Sequence, residues 1–459
     1  MSVDAVGSDS SSPVVRHGLG PALLWACYLG CSWTWVIGMF LPIMLLRDFG
    51  VWGWVAFAVP NVVGAAAMGV VLRRPETSLA LVREHGWAMR WFAGVTIAYQ
   101  VYVVFWLFGG LWLTLVFLLP WLVMDPVRRR AVGGWLPTIA VGVAVLSWGA
   151  FSMAAQLEGA WLDVGFGSGN VLPERLTGAE LAWLVPGLMG GFLLCPYLDP
   201  TFQRARYSTG PGTGAAAFIL GFGVVFASMI VFSLMYAGLL RPLVSGGDTA
   251  WISSPWRVLL TIHIGLQVGF TLLAHGRERF GGDPGEPQSG WVRGNPEGPW
   301  PILWFALIIA ASLTWVLLDR VTGWRLDNGQ GLGTGQGLTL GEAGYRAFLL
   351  VYGVFFPAYV LICMLPTLRR GISPRRKRTV FWIASLIGYP LGVMGLILGP
   401  MSWLVGLYAV LVLGRVAVEL LPASRTPDAG HRVPTPPPPP HARPPAAAAG
   451  EPAHGHTSG

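Results

Sequence analysis

Long apolar runs separated by short polar or basic clusters fill the chain from residue 21 to residue 421. A helix rises about 1.5 Å per residue, so about 20 mainly apolar residues cross roughly 30 Å of hydrocarbon. By that measure the pattern predicts twelve spans. They lie near 21–46, 51–72, 88–108, 109–125, 132–155, 180–203, 212–240, 255–275, 300–318, 343–367, 379–398 and 400–421. Only Gly109 and Gly110 divide the third span from the fourth. Without that division the count is eleven and the C-terminus changes sides. Residues 1–20 are polar and form a short N-terminal segment. Residues 422–459 are low-complexity and rich in Pro and Ala, the composition of a disordered tail. The tail's His441, His454 and His456 are read as solvated rather than metal-binding.

Two spans interrupt their own helices. The first contains "CYLGCSWTWVIGMFLP" at 27–42, with Gly30, Ser32 and Thr34 at mid-span and Pro42 before the run ends. The sixth, "WLVPGLMGGFLLCPYLDPTFQRAR", carries Pro186, Gly187, Gly190, Gly191, Pro196 and Pro200. In hydrocarbon every backbone N–H and C=O needs a partner, so such breaks are tolerated only inside protein or beside a water-lined cavity. Spans 1 and 6 begin about 160 residues apart, and spans 2 and 7, then 3 and 8, repeat that offset closely. A shift of five spans reverses orientation, which is the inverted-repeat pattern with a site near the midplane. Repeat 1 then covers about 21–155 and repeat 2 about 180–367, with 379–421 as two peripheral helices.

Composition agrees with the pattern. Hydrophobic residues make up 54% of the 459 and charged residues only 11%, against roughly 25% charged in soluble domains. The fold class is therefore an all-α polytopic membrane protein in the lipid bilayer. The 23 Trp fit membrane interfaces. The net charge of +8 does not indicate nucleic acid, because no soluble domain or basic groove exists to hold it. It follows the loops instead. With the N-terminus in the cytoplasm, the loops after even-numbered spans hold about 17 Lys and Arg and the opposite loops about 7, as the positive-inside rule requires. "RRR" at 128–130 and "RRGISPRRKR" at 369–378 are the clearest cases, and Glu158, Asp163 and Glu174 lie on the other side. Both termini are thus placed in the cytoplasm of a multi-pass cell (inner) membrane protein. The first apolar run is too long for a signal-peptide core and lacks a basic leader, so it is read as an uncleaved span. Cys27, Cys31, Cys195 and Cys363 all lie in apolar runs, which indicates no disulfide framework and no metal site.

Span count, orientation and the two broken helices resemble the leucine-transporter fold of the amino acid–polyamine–organocation superfamily, nearest its solute:sodium symporters. The resemblance covers about 20–367. It implies that the unwound parts of spans 1 and 6 contact substrate and ion: Gly30, Cys31, Ser32 and Thr34 in the first, Gly190, Gly191 and Cys195 in the second. Sodium-coupled members carry neighbouring hydroxyl residues in span 8. Here "WRVLLTIHIGLQVGFTLLAHG" has Thr261 and Thr271 but no adjacent pair. Proton-coupled relatives often place a Lys in span 5, and "GGWLPTIAVGVAVLSWGAFSMA" has none. The coupling ion, sodium or proton, stays open.

Candidate polar residues follow from helical spacing. His263, Gln267 and Thr271 recur every four residues and so share a face of span 8; Thr96 and Gln100 do the same in span 3, beside Tyr99. Ionisable groups at mid-membrane mark functional sites, and His263 has the chemistry to exchange a proton. The alternative is a neutral His and Gln bridging helices by hydrogen bonds. Asp199 is either a gate residue paired with an Arg such as Arg206, or the cap of the helix that follows Pro200. Glu342 with Arg346, and Arg415 with Glu419, are spaced as intrahelical pairs of structural character.

These features favour a secondary transporter of a small organic solute working by alternating access. A major-facilitator protein would show an acidic-basic Gly motif after span 2 and a long central loop; "RRPETSLALVREHG" and a short loop stand there instead. An enzyme is not expected, since no paired carboxylates, metal-spaced His/Glu set, nucleophile elbow or phosphate loop is convincing, and no cofactor is called for. "DVGFGSGN" and "NGQGLGTGQG" lack the strand–helix context of a nucleotide loop. A transporter-like sensor or scaffold that binds solute without moving it is the remaining alternative.

Overall fold

The computed structural model describes residues 17–108, 135–161, 178–244, 254–280, 300–326, 338–368 and 371–421. The fourth predicted span, "RRR" at 128–130, both Gly-rich loops and the Pro/Ala-rich tail lie outside them. The described chain is helical apart from one two-stranded antiparallel ladder, β1 (Arg325–Leu326) with β2 (Leu338–Thr339). Among the described residues nine helices are long and apolar enough to cross a membrane. The protein is therefore a multi-pass, all-α membrane protein.

The first predicted span is interrupted. α1 (Leu19–Trp33) stops at Thr34, and Trp35 is extended before α2 (Val36–Val71) begins. Within α2, Gly50 leaves the helical region at φ 66°, ψ −155°. A side chain other than glycine rarely adopts that backbone. The chain reverses there: Trp33 Nε1 donates to Asn61 Oδ1 at 2.6 Å, although 28 residues of straight helix would hold them roughly 40 Å apart. The second half of α2 is thus the second predicted span, running back beside the first. α3 (Pro75–Phe108) starts 13 residues before the predicted third span, with Pro at its first turn. α4 (Leu136–Ala154) matches the predicted fifth span.

The sixth span is also interrupted. α5 (Gly178–Leu194) passes into a 3₁₀ turn over Cys195–Leu198, and α6 (Pro200–Tyr207) follows Asp199. Then come α7 (Pro211–Leu220) and α8 (Ala227–Val244), joined by a π-helical turn over Gly221–Phe226. α9 (Ser254–Phe280) and α10 (Trp300–Thr322) precede the ladder. α11 (Leu340–Leu350) and α12 (Phe356–Tyr359) are separated by a π-helical turn over Val351–Phe355. α13 (Pro374–Val393) and α14 (Trp403–Leu420) end the described chain.

Burial places the centre of this bundle. Every side chain from Tyr28 to Phe49 is buried, and so is α3 from Phe92 to Val104. α13 and α14 expose large apolar residues such as Leu386, Ile387, Val412 and Leu413, as lipid-facing helices do. Small residues set the closest approaches. A Cβ at Gly64 would lie 2.3 Å from the Phe192 carbonyl oxygen, where α2 crosses α5, and that backbone has no side-chain torsion with which to yield. Gly64→Ala is therefore expected to destabilise by about 1–3 kcal/mol. Chemical or thermal unfolding of the detergent-solubilised protein measures it, and an unchanged midpoint would show that the two helices separate without cost.

Candidate functional site

The two interruptions meet. Thr201 Oγ1, in the first turn of α6, lies 3.2 Å from Ser32 Oγ in the last turn of α1. Each break provides for its own stranded backbone groups. Thr34 donates to the Gly30 carbonyl twice, through its N–H at 3.0 Å and its hydroxyl at 2.8 Å. Ser32 Oγ donates to the Leu29 carbonyl at 3.1 Å. In the sixth span, Asp199 caps α6: its Oδ1 accepts from the Thr201 N–H at 2.7 Å and from the Thr201 hydroxyl at 2.6 Å. Gln203 Nε2 donates to the Tyr197 carbonyl inside the 3₁₀ turn at 2.8 Å.

α9 supplies a third wall. His275 Nε2 lies 3.9 Å from Asp199 Oδ2, and the ring sits next to the Ser32 backbone. Asp199, Thr201, Ser32, Thr271 and His275 are all fully buried. Among the described residues, Asp199 Oδ2 and Thr271 Oγ1 have no hydrogen-bond partner. Such groups are rare in folded proteins, because each orphan costs about 1–3 kcal/mol.

Aromatic rings close the other side. Trp35 packs against Tyr352 at 4.8 Å and Tyr99 at 6.2 Å, while Phe92 packs against Tyr352 at 5.4 Å. Thr96 Oγ1 and Tyr352 Oη are 2.9 Å apart. The π-helical turn after α11 leaves the Tyr352 carbonyl free to accept from Cys195 Sγ at 3.2 Å. Trp33, Trp35, Gly191, Cys195 and Tyr352 border an apolar cavity of about 50 Å³.

The predicted site residues divide accordingly. Ser32, Asp199 and Cys195 belong to the junction, and Gly191 lines the cavity, where a Cβ would come within 3.1 Å of the Tyr352 carbonyl. Gly190 faces open space, one residue away. Gly30 is a packing glycine: a Cβ there would lie 2.6 Å from Val225 Cγ1 in the α7–α8 π turn. Cys31 points to α4, its Sγ 3.6 Å from the Ala140 carbonyl. The Thr34 hydroxyl is occupied by Gly30. Tyr99 donates to the Tyr345 carbonyl at 3.1 Å, and both polar atoms of buried Gln100 lack a partner among the described residues. Gln267 Nε2 bridges to Ser147 Oγ of α4 at 2.9 Å. His263 packs against Phe232 at 4.8 Å, with both ring nitrogens unpartnered among the described residues. His263 therefore faces α8, and Gln267 faces α4, α8 and Cys31 of α1, whose Sγ lies 4.0 Å from Gln267 Nε2. A spacing of four drifts about 40° per step around a helix, so the stripe turns about 120° between His263 and His275. The stripe does reach the junction, one turn beyond its predicted end.

Asp199 does not pair with Arg206. Arg206 is buried and donates to the carbonyls of Leu72 and Arg73, at the end of α2, and to Thr209. The ion pair on this side of the bundle joins Arg204 of α6 to Glu278 of α9.

At the opposite end, four buried charges form a closed ring. Arg47 Nε donates to Asp48 Oδ1 at 2.7 Å, and its Nη2 to Glu342 Oε1 at 2.5 Å. Arg346 Nη2 reaches Asp48 Oδ2 at 3.0 Å and Glu342 Oε1 at 2.7 Å. Arg346 Nη1 also donates to the Leu396 carbonyl at 3.0 Å. The predicted Glu342–Arg346 pair is present, but it is half of a ring that locks α2 to α11. Arg47 and Asp48 fall just past the predicted first span, so the sequence offered no signal that they are buried. No protein-family model, curated protein or solved structure matches this chain.

Two substitutions test these assignments. Glu342→Gln leaves Arg47 and Arg346 short of a counter-charge in a dry site, and breaking a buried pair costs about 3–5 kcal/mol. Denaturant unfolding in detergent should show that loss; a change below about 1 kcal/mol would mean the ring is hydrated. Asp199→Asn should be close to neutral, because Asn caps helices as well as Asp, whereas Asp199→Ala should cost about 1 kcal/mol. Equal melting temperatures for the two variants would overturn the capping role.

Proposed function

We propose that this protein is a secondary transporter for a small organic solute, built from two five-span units of opposite orientation and working by alternating access. The observation that carries the reading is the meeting of two interrupted helices at buried, incompletely satisfied polar groups. Broken helices at the midplane of inverted repeats are where transporters of this architecture hold their cargo. The apolar cavity beside the break and the hydroxyls of Ser32 and Thr201 at the junction suit a solute with one apolar and one polar end.

Among the described residues, buried charges bridge helices at both ends of the bundle. The Arg47–Asp48–Glu342–Arg346 ring stands at one, and Arg204–Glu278 with Arg206 against the end of α2 at the other. By the loop-charge rule the ring lies on the outer side and Arg204 and Arg206 on the cytoplasmic side, in the cell membrane. The cavity of about 50 Å³ is far below the roughly 300–1,000 Å³ of pockets that enclose drug-sized ligands. Loading therefore requires one of these bridges to open, and alternating access requires that they open in turn.

The test has two stages. A panel of small solutes is screened for those that raise the melting temperature, since a ligand that prefers the folded form stabilises it by mass action. The stabilising solute, radiolabelled, is then offered to proteoliposomes under sodium, proton and no imposed gradient. Saturable uptake, lost in Glu342→Gln or Trp35→Ala, is expected. Stabilisation without uptake under any gradient would instead identify a solute sensor or scaffold.

A further inference from the structure

The geometry points to a proton site shared by Asp199 Oδ2 and His275 Nε2, through which a proton is the ion that drives this carrier. The proposal rests on the transporter reading for its role, but the site itself stands on separate observations. Asp199 uses one oxygen, Oδ1, to cap α6 through Thr201. Its other oxygen has no hydrogen-bond partner among the described residues and faces His275 Nε2, 3.9 Å away, while the same ring sits against the Ser32 backbone. Both side chains are fully buried. A neutral imidazole has a single N–H; with that N–H directed at the Ser32 backbone, Nε2 and Oδ2 face each other as two acceptors and are short of one proton. Placed on Oδ2, that proton is donated to a neutral Nε2; placed on Nε2, it is donated to the carboxylate. Its release leaves a carboxylate opposite a neutral ring, and nothing else changes covalently.

The surroundings suit proton exchange. α1 presents Tyr28 and the Ser32 backbone, the 3₁₀ turn presents Cys195, and the turn after α11 presents Tyr352. α3 contributes the apolar ring of Phe92, 6.2 Å from the imidazole. The nearest formal charges are Glu278 and Arg204, which are paired to each other, and Arg277 on the next turn. Glu278 lies three residues beyond His275 on the same helix, between the site and the end of the bundle. When the Arg204–Glu278 pair parts, the route from His275 to water opens on that side. Because Asp199 sits in the break of the sixth span and the imidazole touches the break of the first, gain or loss of this proton acts on both interruptions at once.

Infrared titration of the purified full-length protein in liposomes reads the site without a known solute. A protonated-carboxyl band that disappears as pH rises is expected in the wild type. It should be absent in Asp199→Asn, whose cap is retained, and shifted in His275→Gln. A titration identical in the wild type and Asp199→Asn overturns the proposal, as does the absence of any such band. The second readout uses the solute found by thermal stabilisation. Accumulation driven by a pH gradient should fall at least tenfold in Asp199→Asn while exchange of labelled for unlabelled solute persists. Wild-type accumulation in that variant, or uptake that follows sodium instead, overturns proton coupling and leaves the transporter standing. A titrating Asp199 band in a protein that moves no solute leaves the proton site standing and removes the transporter.

Discussion

Inside a bilayer, a backbone amide that leaves its helix must be met by another group of the protein, and this constraint organises the whole structure. Each interruption carries its own remedy within a few residues. Ser32 and Thr34 return their hydroxyls to the carbonyls of Leu29 and Gly30. Asp199 accepts from the first turn of α6, and Gln203 donates back to the Tyr197 carbonyl in the turn before it. The hydroxyls that look ligand-like in sequence are largely engaged in holding the breaks open. One leftover at the junction is therefore informative: the second oxygen of Asp199, which faces the His275 imidazole.

The same constraint explains the lateral packing. π-helical turns at Gly221–Phe226 and Val351–Phe355 lie beside α1 and α5, the helices that break. Each turn shifts the register of its helix and redirects a carbonyl or an apolar side chain toward the interruption. Val225 fills the space above Gly30, and the Tyr352 carbonyl meets Cys195. The helices that break are thus supported by helices that bulge. The outermost pair also takes part: Tyr408 of α14 donates to the Trp183 carbonyl and accepts from the Gly187 N–H, on either side of Pro186 in α5, and the Leu396 carbonyl in the turn between α13 and α14 receives Arg346.

Much of the architecture was legible because hydrophobic run length is a direct physical requirement of the bilayer. Gly, Pro and hydroxyl residues marked the two spans that are interrupted, but the breaks fall at Thr34–Trp35 and Cys195–Asp199, while Gly30 to Ser32 and Gly190 with Gly191 stay helical. The site was harder to read. Helical spacing linked His263, Gln267 and Thr271, yet spacing alone does not say which neighbour each turn of a slowly rotating stripe will face. Gln267 meets Ser147, and only His275, two steps further on, meets Asp199. The ring of charges was hidden for another reason. Arg47 and Asp48 look like the start of a loop, and what buries them is α11, nearly 300 residues further on. Spacing within a helix found Glu342 and Arg346, while partners brought by tertiary folding leave no mark on local sequence.

The composition of that ring has an electrical corollary. α2 brings one cation and one anion, Arg47 and Asp48, and α11 brings one of each, Arg346 and Glu342. Pulling the two helices apart therefore shifts no net charge on either. The work done by a membrane voltage on a moving element is proportional to the charge it carries, about 2.3 kcal/mol per unit charge per 100 mV. Parting this ring would accordingly carry no net charge through the membrane potential, whatever else moves with it.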